Sequence, residues 1–170
     1  ERDWARRQFA GLILPAALPA LADSPLLSDP ELPRVCVASG TDEQFQLNAV
    51  VDWDAFRDRA LSHLARQKHK RLAWIAADIG AFGTAEEQAA IRSAGRRRRL
   101  IVEDKWLQCA SIVRPGMLTN LLRLMMASTP RPDAIVLSET AMESALCRAL
   151  AELGLRIPED VAVVVHANFP

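Results

Sequence analysis

The strongest constraint on this chain is a repeated exchange between two hydrophobic patterns. Short apolar runs alternate with longer segments in which apolar residues recur every three or four positions. Runs such as Ala134-Ile135-Val136-Leu137 and Val161-Ala162-Val163-Val164-Val165 are continuous rather than alternating. A strand with one wet face would alternate, so continuous runs point to strands covered on both sides, as in a parallel sheet flanked by helices. Strands are expected at 11–14, 34–38, 49–52, 71–77, 100–103, 133–138 and 161–166. With helices between them they describe a doubly wound α/β fold.

The intervening helices carry their own punctuation. Asp54 can cap a helix over 54–67 in which Phe56, Ala60, Leu61 and Leu64 form one stripe while Arg57, Asp58 and Arg66 face water. Thr84, followed by Glu86 and Glu87, places a hydroxyl and negative charge at the start of the next helix, with Gly95 as its expected stop. A third helix is expected over 116–128 and a fourth over 140–153, closed by Gly154 with Pro158 beyond. The first fifty residues differ, with only a short helical start at 3–9 and a Pro-rich connector over 15–33. A connector of that length is uncommon inside a compact domain unless it borders a functional edge.

Composition narrows the function. The 170 residues hold 21 basic and 21 acidic side chains, so the chain lacks the overall positive field that drives nonspecific binding to phosphate backbones. Cys36, Cys109 and Cys147 are odd in number and far apart, fitting neither a disulfide framework nor a zinc site, and read as inert core thiols of a reducing compartment. No apolar run approaches the roughly 20 residues needed to cross a bilayer. Residues 1–4 lack the basic start and apolar stretch of a secretory leader, and without an initiator Met residue 1 is not expected to be the natural start.

The stretch Pro130-Arg131-Pro132-Asp133-Ala134-Ile135-Val136, followed by a helix and then Leu153-Gly154-Leu155-Arg156-Ile157-Pro158-Glu159-Asp160-Val161-Ala162-Val163-Val164, resembles the effector-binding core of the lactose-repressor family of bacterial transcription regulators. The family's "rPDAi" strand and "LGlrvPeDvaVvGfDd" close follow in this order and at this spacing. Upstream, His69-Lys70-Arg71-Leu72-Ala73-Trp74-Ile75 is similar to the family's "GHrrIafI" opening and Val51-Asp52 to its "vDn" turn. Gly11-Leu12-Ile13-Leu14 and Leu32-Pro33-Arg34-Val35 are similar to its "DGiIl" and "iPvV" strands, so the resemblance runs from about residue 10 to the end.

The resemblance implies a two-lobed periplasmic-binding-protein-like type I fold, present as a fragment. Residues 1–51 would be the later part of the first lobe, 52–165 the second lobe and 166–170 the start of the return hinge. It places ligand contacts at strand ends, where Asp52 keeps the "vDn" carboxylate but also reads as a helix cap. Ser138-Glu139 stand in place of the family's "ND" pair and read equally as a cap after a buried strand. Asp78 closes the strand over 71–77 and is a candidate of the same kind. Val165-His166-Ala167-Asn168 replace the family's Gly-Phe-Asp-Asp, leaving Asn168 as an amide contact and His166 as a rim or core histidine. Arg92, three residues before Gly95, matches a ligand-binding arginine in one alignment; in another Gly95 ends the helix and no arginine matches. Trp53 and Trp106 could stack on a ring face or fill core.

Arg96-Arg97-Arg98-Arg99 invites a phosphate reading, although four basic residues between a helix and a strand also describe a solvated edge. The implied function is a cytoplasmic sensor of a sugar or related metabolite that works as a homodimer and reaches operator DNA through an N-terminal domain absent from this sequence. No catalytic residue, cofactor, metal or membrane association is expected. A solute receptor of a transport system is the alternative, and an α/β enzyme a weaker one. No Gly-rich phosphate loop or nucleophile elbow is present, and His63, His69 and His166 pair with no Cys or Ser in a recognisable order.

Overall fold

The computed structural model describes residues 10–14, 24, 29, 31–38, 47–78 and 83–167. The helical start expected at 3–9, most of the connector at 15–33 and Asn168 lie outside them. The chain divides into two compact units, residues 1–53 and 54–170.

In the first unit β1 (Leu12–Leu14), β2 (Arg34–Ala38) and β3 (Leu47–Val50) form a parallel sheet in the order β1-β2-β3. Gly11 lets β1 start against the residue that precedes β2. A Cβ at Gly11 would lie 2.9 Å from the Pro33 carbonyl oxygen, which accepts from the Leu12 amide at 2.9 Å. Cys36, on the central strand, is fully buried. The third strand begins and ends two residues earlier than expected, and the Trp53 amide donates to the Val51 carbonyl at 2.9 Å.

In the second unit α1 (Trp53–Arg66) leads into β4 (Leu72–Ala77), then α2 (Ala85–Arg97), β5 (Leu107–Ala110), α3 (Pro115–Ala127), β6 (Ala134–Leu137), α4 (Glu143–Glu152) and β7 (Ala162–Val165). All four strands are parallel, in the order β5-β4-β6-β7. Side chains on β4 alternate between two cores. Ala73, Ile75 and Ala77 meet Leu118, Leu122 and Met125 of α3 and Leu146 and Leu150 of α4. Leu72, Trp74 and Ala76 meet Ala60, Leu61 and Leu64 of α1 and Ile91 and Ala94 of α2. Both faces are apolar, which is why β4 and β6 read as continuous runs. Asp133 pins the starts of these two strands together: its carboxylate accepts from the Lys70 and Arg71 amides at 3.0 Å each and pairs with the Arg71 guanidinium at 3.2 Å.

Several expectations need correction. The apolar run at 100–103 is not a strand; Ile101 makes one isolated bridge with Arg71. The chain then turns through a short 3-10 helix at Asp104–Trp106 before pairing resumes at Leu107 opposite Trp74. Gly95 does not stop α2. It lies buried inside the helix, where a Cβ would come 2.7 Å from a Val102 methyl carbon. The segment from 140 starts as a 3-10 helix, Thr140–Met142, before α4 begins. Arg57 is not solvated, with a side chain only 15% exposed. Of the three cysteines only Cys36 is a core thiol; Cys109 is half-buried and Cys147 exposed.

Candidate functional site

Each helix of the second unit runs back against a parallel strand, so the N-termini of α1 to α4 all lie toward the carboxyl edge of the sheet. That edge therefore collects first-turn amides with no partner within their own helix and the positive ends of four helix dipoles. The strand order adds a second feature. The chain leaves β4 outward to β5, then crosses back over β4 to β6, so the helices after β4 and after β6 pack on opposite faces. The carboxyl ends of β4 and β6 flank this switch point, which is where open α/β sheets bind their ligands.

The ladder extends one residue past each strand and sets a row of polar side chains there. The Asp78 amide donates to the Ala110 carbonyl at 3.0 Å, the Ser138 amide to Ile75 at 3.0 Å, and the His166 amide to Leu137 at 2.9 Å. Asp78, Ser138 and His166 thus stand at the ends of adjacent strands β4, β6 and β7, with buried Ser111 following β5. Phe56 of α1 lies against this row on the α1/α2 face. Its ring meets His166 edge-on at 4.9 Å and Trp74 at 5.8 Å.

Ser138 and Glu139, which sequence left as a cap or a ligand grip, divide the two roles. Glu139 caps, its Oε1 accepting from the Ala141 amide at 3.1 Å. Ser138 is 1% exposed and its hydroxyl has no hydrogen-bond partner. Asp78 is exposed at the end of β4. Asp52, exposed, and Trp53, half-buried, close the first unit. Arg92 sits in the middle of α2, and its guanidinium is held by Asp104 at 2.8 Å, in the 3-10 helix that precedes β5. Asp78, Ser138 and Glu139 therefore share one edge, while Arg92 is engaged with the segment leading into β5.

A second polar group lies at the start of α2; its cap was legible in the sequence, its proximity to Arg57 and Cys109 was not. Thr84 caps that helix as expected, its Oγ1 accepting from the Glu87 amide at 3.2 Å. The Glu87 carboxylate reaches the Gly83 amide at 2.6 Å. Burial pushes Glu87 above the ordinary carboxylate range, opposed by the Gly83 amide and by Arg57 on α1. Burial also raises the Cys109 thiol, helped by the negative charges of Glu87 and Asp78, so this cysteine stays protonated and weakly nucleophilic near neutral pH. Gly83 is required between them: its φ is +84°, and a Cβ there would meet the Cys109 sulfur. Arg57 and Glu87 lie on different helices, so neither helix's own pattern signals their approach. Among the described residues no three His, Cys, Asp or Glu side chains converge as a metal site.

Glu87 carries a pH signature. The native protein holds its proton to a higher pH than the unfolded chain does, so stability falls as the pH rises from the ordinary glutamate range to the raised native value. Glu87→Gln is expected to flatten the melting-temperature profile just above the ordinary glutamate range. An unchanged slope would show that Glu87 is not the group responsible.

A parallel, doubly wound sheet with polar side chains grouped at its switch point is the plan of a small-molecule-binding α/β domain. Residues 61–169 match the family described as periplasmic binding protein-like domain, and the chain belongs to that family. Among solved structures it is similar to a LacI family transcriptional regulator from Lactobacillus casei with bound glucose, at 20% identity and a TM-score of 0.72, covering 99% of this chain and 64% of that one. A LacI family regulator from Bifidobacterium animalis subsp. lactis gives 21% identity and 0.70, covering 96% and 60%. The transcription regulator CcpA of Lactococcus lactis gives 16% and 0.72, covering 98% and 60%. The chain thus spans less than two thirds of the length of these structures. No curated protein sequence matches it. Among the described residues no helix is long and apolar enough to cross a membrane.

Proposed function

We propose that this chain is the effector-sensing part of a LacI-type bacterial transcription regulator and takes a sugar or a related polyhydroxylated metabolite. The observation that carries this reading is the Ser138 hydroxyl, buried and without a partner at the switch point. A buried polar group left unmatched costs about 1–3 kcal/mol, a cost that a ligand hydroxyl would remove. Asp78, the second oxygen of Glu139 and His166 lie along the same edge and suit the alternating donors and acceptors of a polyol. Asp52, Trp53 and Asn168 join them as candidates on the resemblance alone.

In this reading residues 1–51 and 52–165 belong to two lobes, 166–170 begin the return to the first, and ligand-driven closure biases a DNA-binding domain outside this sequence. The regulator is cytoplasmic and homodimeric, pairs through the helical segment at about 140–153, and catalyses no reaction. The similarity to regulator structures, one of them holding glucose, supports this over a transport receptor.

A thermal-shift screen against monosaccharides, disaccharides, sugar phosphates and nucleobases tests it. A specific ligand at about a hundred times its Kd stabilises by roughly 2.7 kcal/mol, or about 5–11 °C at this chain length. Ser138→Ala is expected to leave the unliganded melting temperature unchanged or slightly raised and to abolish most of that shift. Light scattering on the intact regulator should find a dimer. Silence across the whole screen, or a monomer at micromolar concentration, would count against the proposal.

A further inference from the structure

The opposite, amino edge of the second sheet carries a feature that the ligand-binding reading does not use. Three helices of this unit end in the same hydrogen-bonded motif. At α4 the Leu155 amide reaches back to the Leu150 carbonyl and the Gly154 amide to Ala151; at α1 the pairs are His69 to Leu64 and Lys68 to Ala65; at α2 they are Leu100 to Gly95 and Arg99 to Arg96. This Schellman motif needs a left-handed residue at its turn, and glycine is the residue that adopts it without strain. Helix α4 uses Gly154, at φ +69°. Helices α1 and α2 use Lys68 at +67° and Arg99 at +59°, each accepting the steric conflict of a Cβ in that conformation.

These two ends adjoin. The Ile101 amide donates to the Lys70 carbonyl at 2.7 Å, and Arg98 bonds Ser62 of α1 at 2.8 Å. Asp58 takes up Arg98 at 3.2 Å and, more loosely, Arg97 at 3.7 Å. Among the described residues no acidic side chain comes within ion-pair reach of Arg66, Lys68, Lys70, Arg96 or Arg99, and all five are exposed. Attraction to the helix dipole explains basic residues in the last turns, such as Arg66, Arg96 and Arg97. At Lys68 and Arg99, two residues past the helix ends, the same attraction is opposed by a backbone geometry that favours glycine.

The 21 basic and 21 acidic residues balance in number but are segregated in space: Asp54, Glu86, Glu87 and Glu143 lie in the first turns of α1, α2 and α4, and Arg66, Arg96 and Arg97 in the last turns of α1 and α2. We propose that the adjoining ends of α1 and α2 form a docking surface for an acidic segment of a protein partner, with Lys68 and Arg99 retained for their charge. Two observations favour carboxylates over nucleic acid. The helix carbonyls at this edge disfavour any anion, a dense phosphate array more than a sparse run of carboxylates, and none of the five unpaired cations adjoins an aromatic side chain within the cluster on which an unpaired base could stack.

The test uses the full chain and a fluorescent oligo-glutamate peptide at low and high salt. Binding that weakens with salt is expected. Lys68→Gly with Arg99→Gly should raise the melting temperature while weakening binding by roughly tenfold, given the modest contribution of each exposed charge. Lys68→Gln with Arg99→Gln should weaken binding equally without the gain in stability, separating charge from backbone strain. Absence of peptide binding, or undiminished binding by either double variant, overturns the proposal. Tighter, equally charge-sensitive binding of duplex DNA overturns it in favour of a nucleic-acid surface.

Discussion

Trp106→Ala is expected to destabilise the second unit by about 3–5 kcal/mol, lowering its melting temperature by roughly 6–20 °C. Among the described residues Trp106 is the largest of the fully buried side chains, and it packs into the core shared with α3 and α4. It ends the 3-10 helix that carries the chain from Ile101 to β5, so its loss opens a cavity where the edge strand is positioned. Its indole nitrogen is buried and has no hydrogen-bond partner. That makes Trp106→Phe the informative companion: it gives up some volume but also removes an unmatched donor worth about 1–3 kcal/mol. Trp106→Phe should therefore stay within about 1 kcal/mol of the parent, the two effects offsetting. Calorimetry on the three proteins checks both. Equal losses for the Ala and Phe variants would mean that the indole nitrogen is satisfied and that ring shape dominates.

The same region shows where sequence reasoning stops. Ala134–Leu137, buried throughout, and Ala162–Val165, packed in part against both cores, were legible as strands because no polar residue interrupts the pattern. Leu100-Ile101-Val102 has the same local chemistry, yet only Ile101 pairs, because the chain must detour to bury Trp106 before continuing as β5. Thr84 and Glu87 were legible as a helix start because a cap is a local interaction. Gly95 misled for the opposite reason: it serves close packing against Val102 inside the helix, while the turn that ends the helix falls on Arg99.

For the candidate site, position was legible and condition was not. The strand ends bearing Asp78, Ser138 and Glu139 follow from the apolar runs that precede them. That Glu139 caps while Ser138 is buried without a partner depends on how β6 meets the following 3-10 helix. Arg57 was expected in solvent because its helical position suggested it; its proximity to Glu87 arises only when α1 and α2 share one face of the sheet. Residues that answer to tertiary neighbours carry no periodic signal.

Ile75→Ala should be the second severe substitution, at about 2–5 kcal/mol. Ile75 is fully buried at the middle of β4, one of the two strands with sheet neighbours on both sides, and it faces the α3/α4 core. Its backbone holds the register that places Ser138, through the Ser138 amide at 3.0 Å. Leu124→Ala on α3 removes a side chain of the same volume that is 76% exposed, and it should cost within about 0.5 kcal/mol, because little apolar area returns to water. Urea denaturation of both variants measures the contrast. If Ile75→Ala is limited to the lost burial, its ligand-induced thermal shift stays near the parent's, since the backbone ladder that sets Ser138 remains. A ligand shift lost together with stability would instead show that the core beneath β4 helps to hold the polar row at its carboxyl end. A cost for Leu124→Ala approaching that of Ile75→Ala would mean that Leu124 is covered in solution, so that α3 cannot be a free surface of the unit.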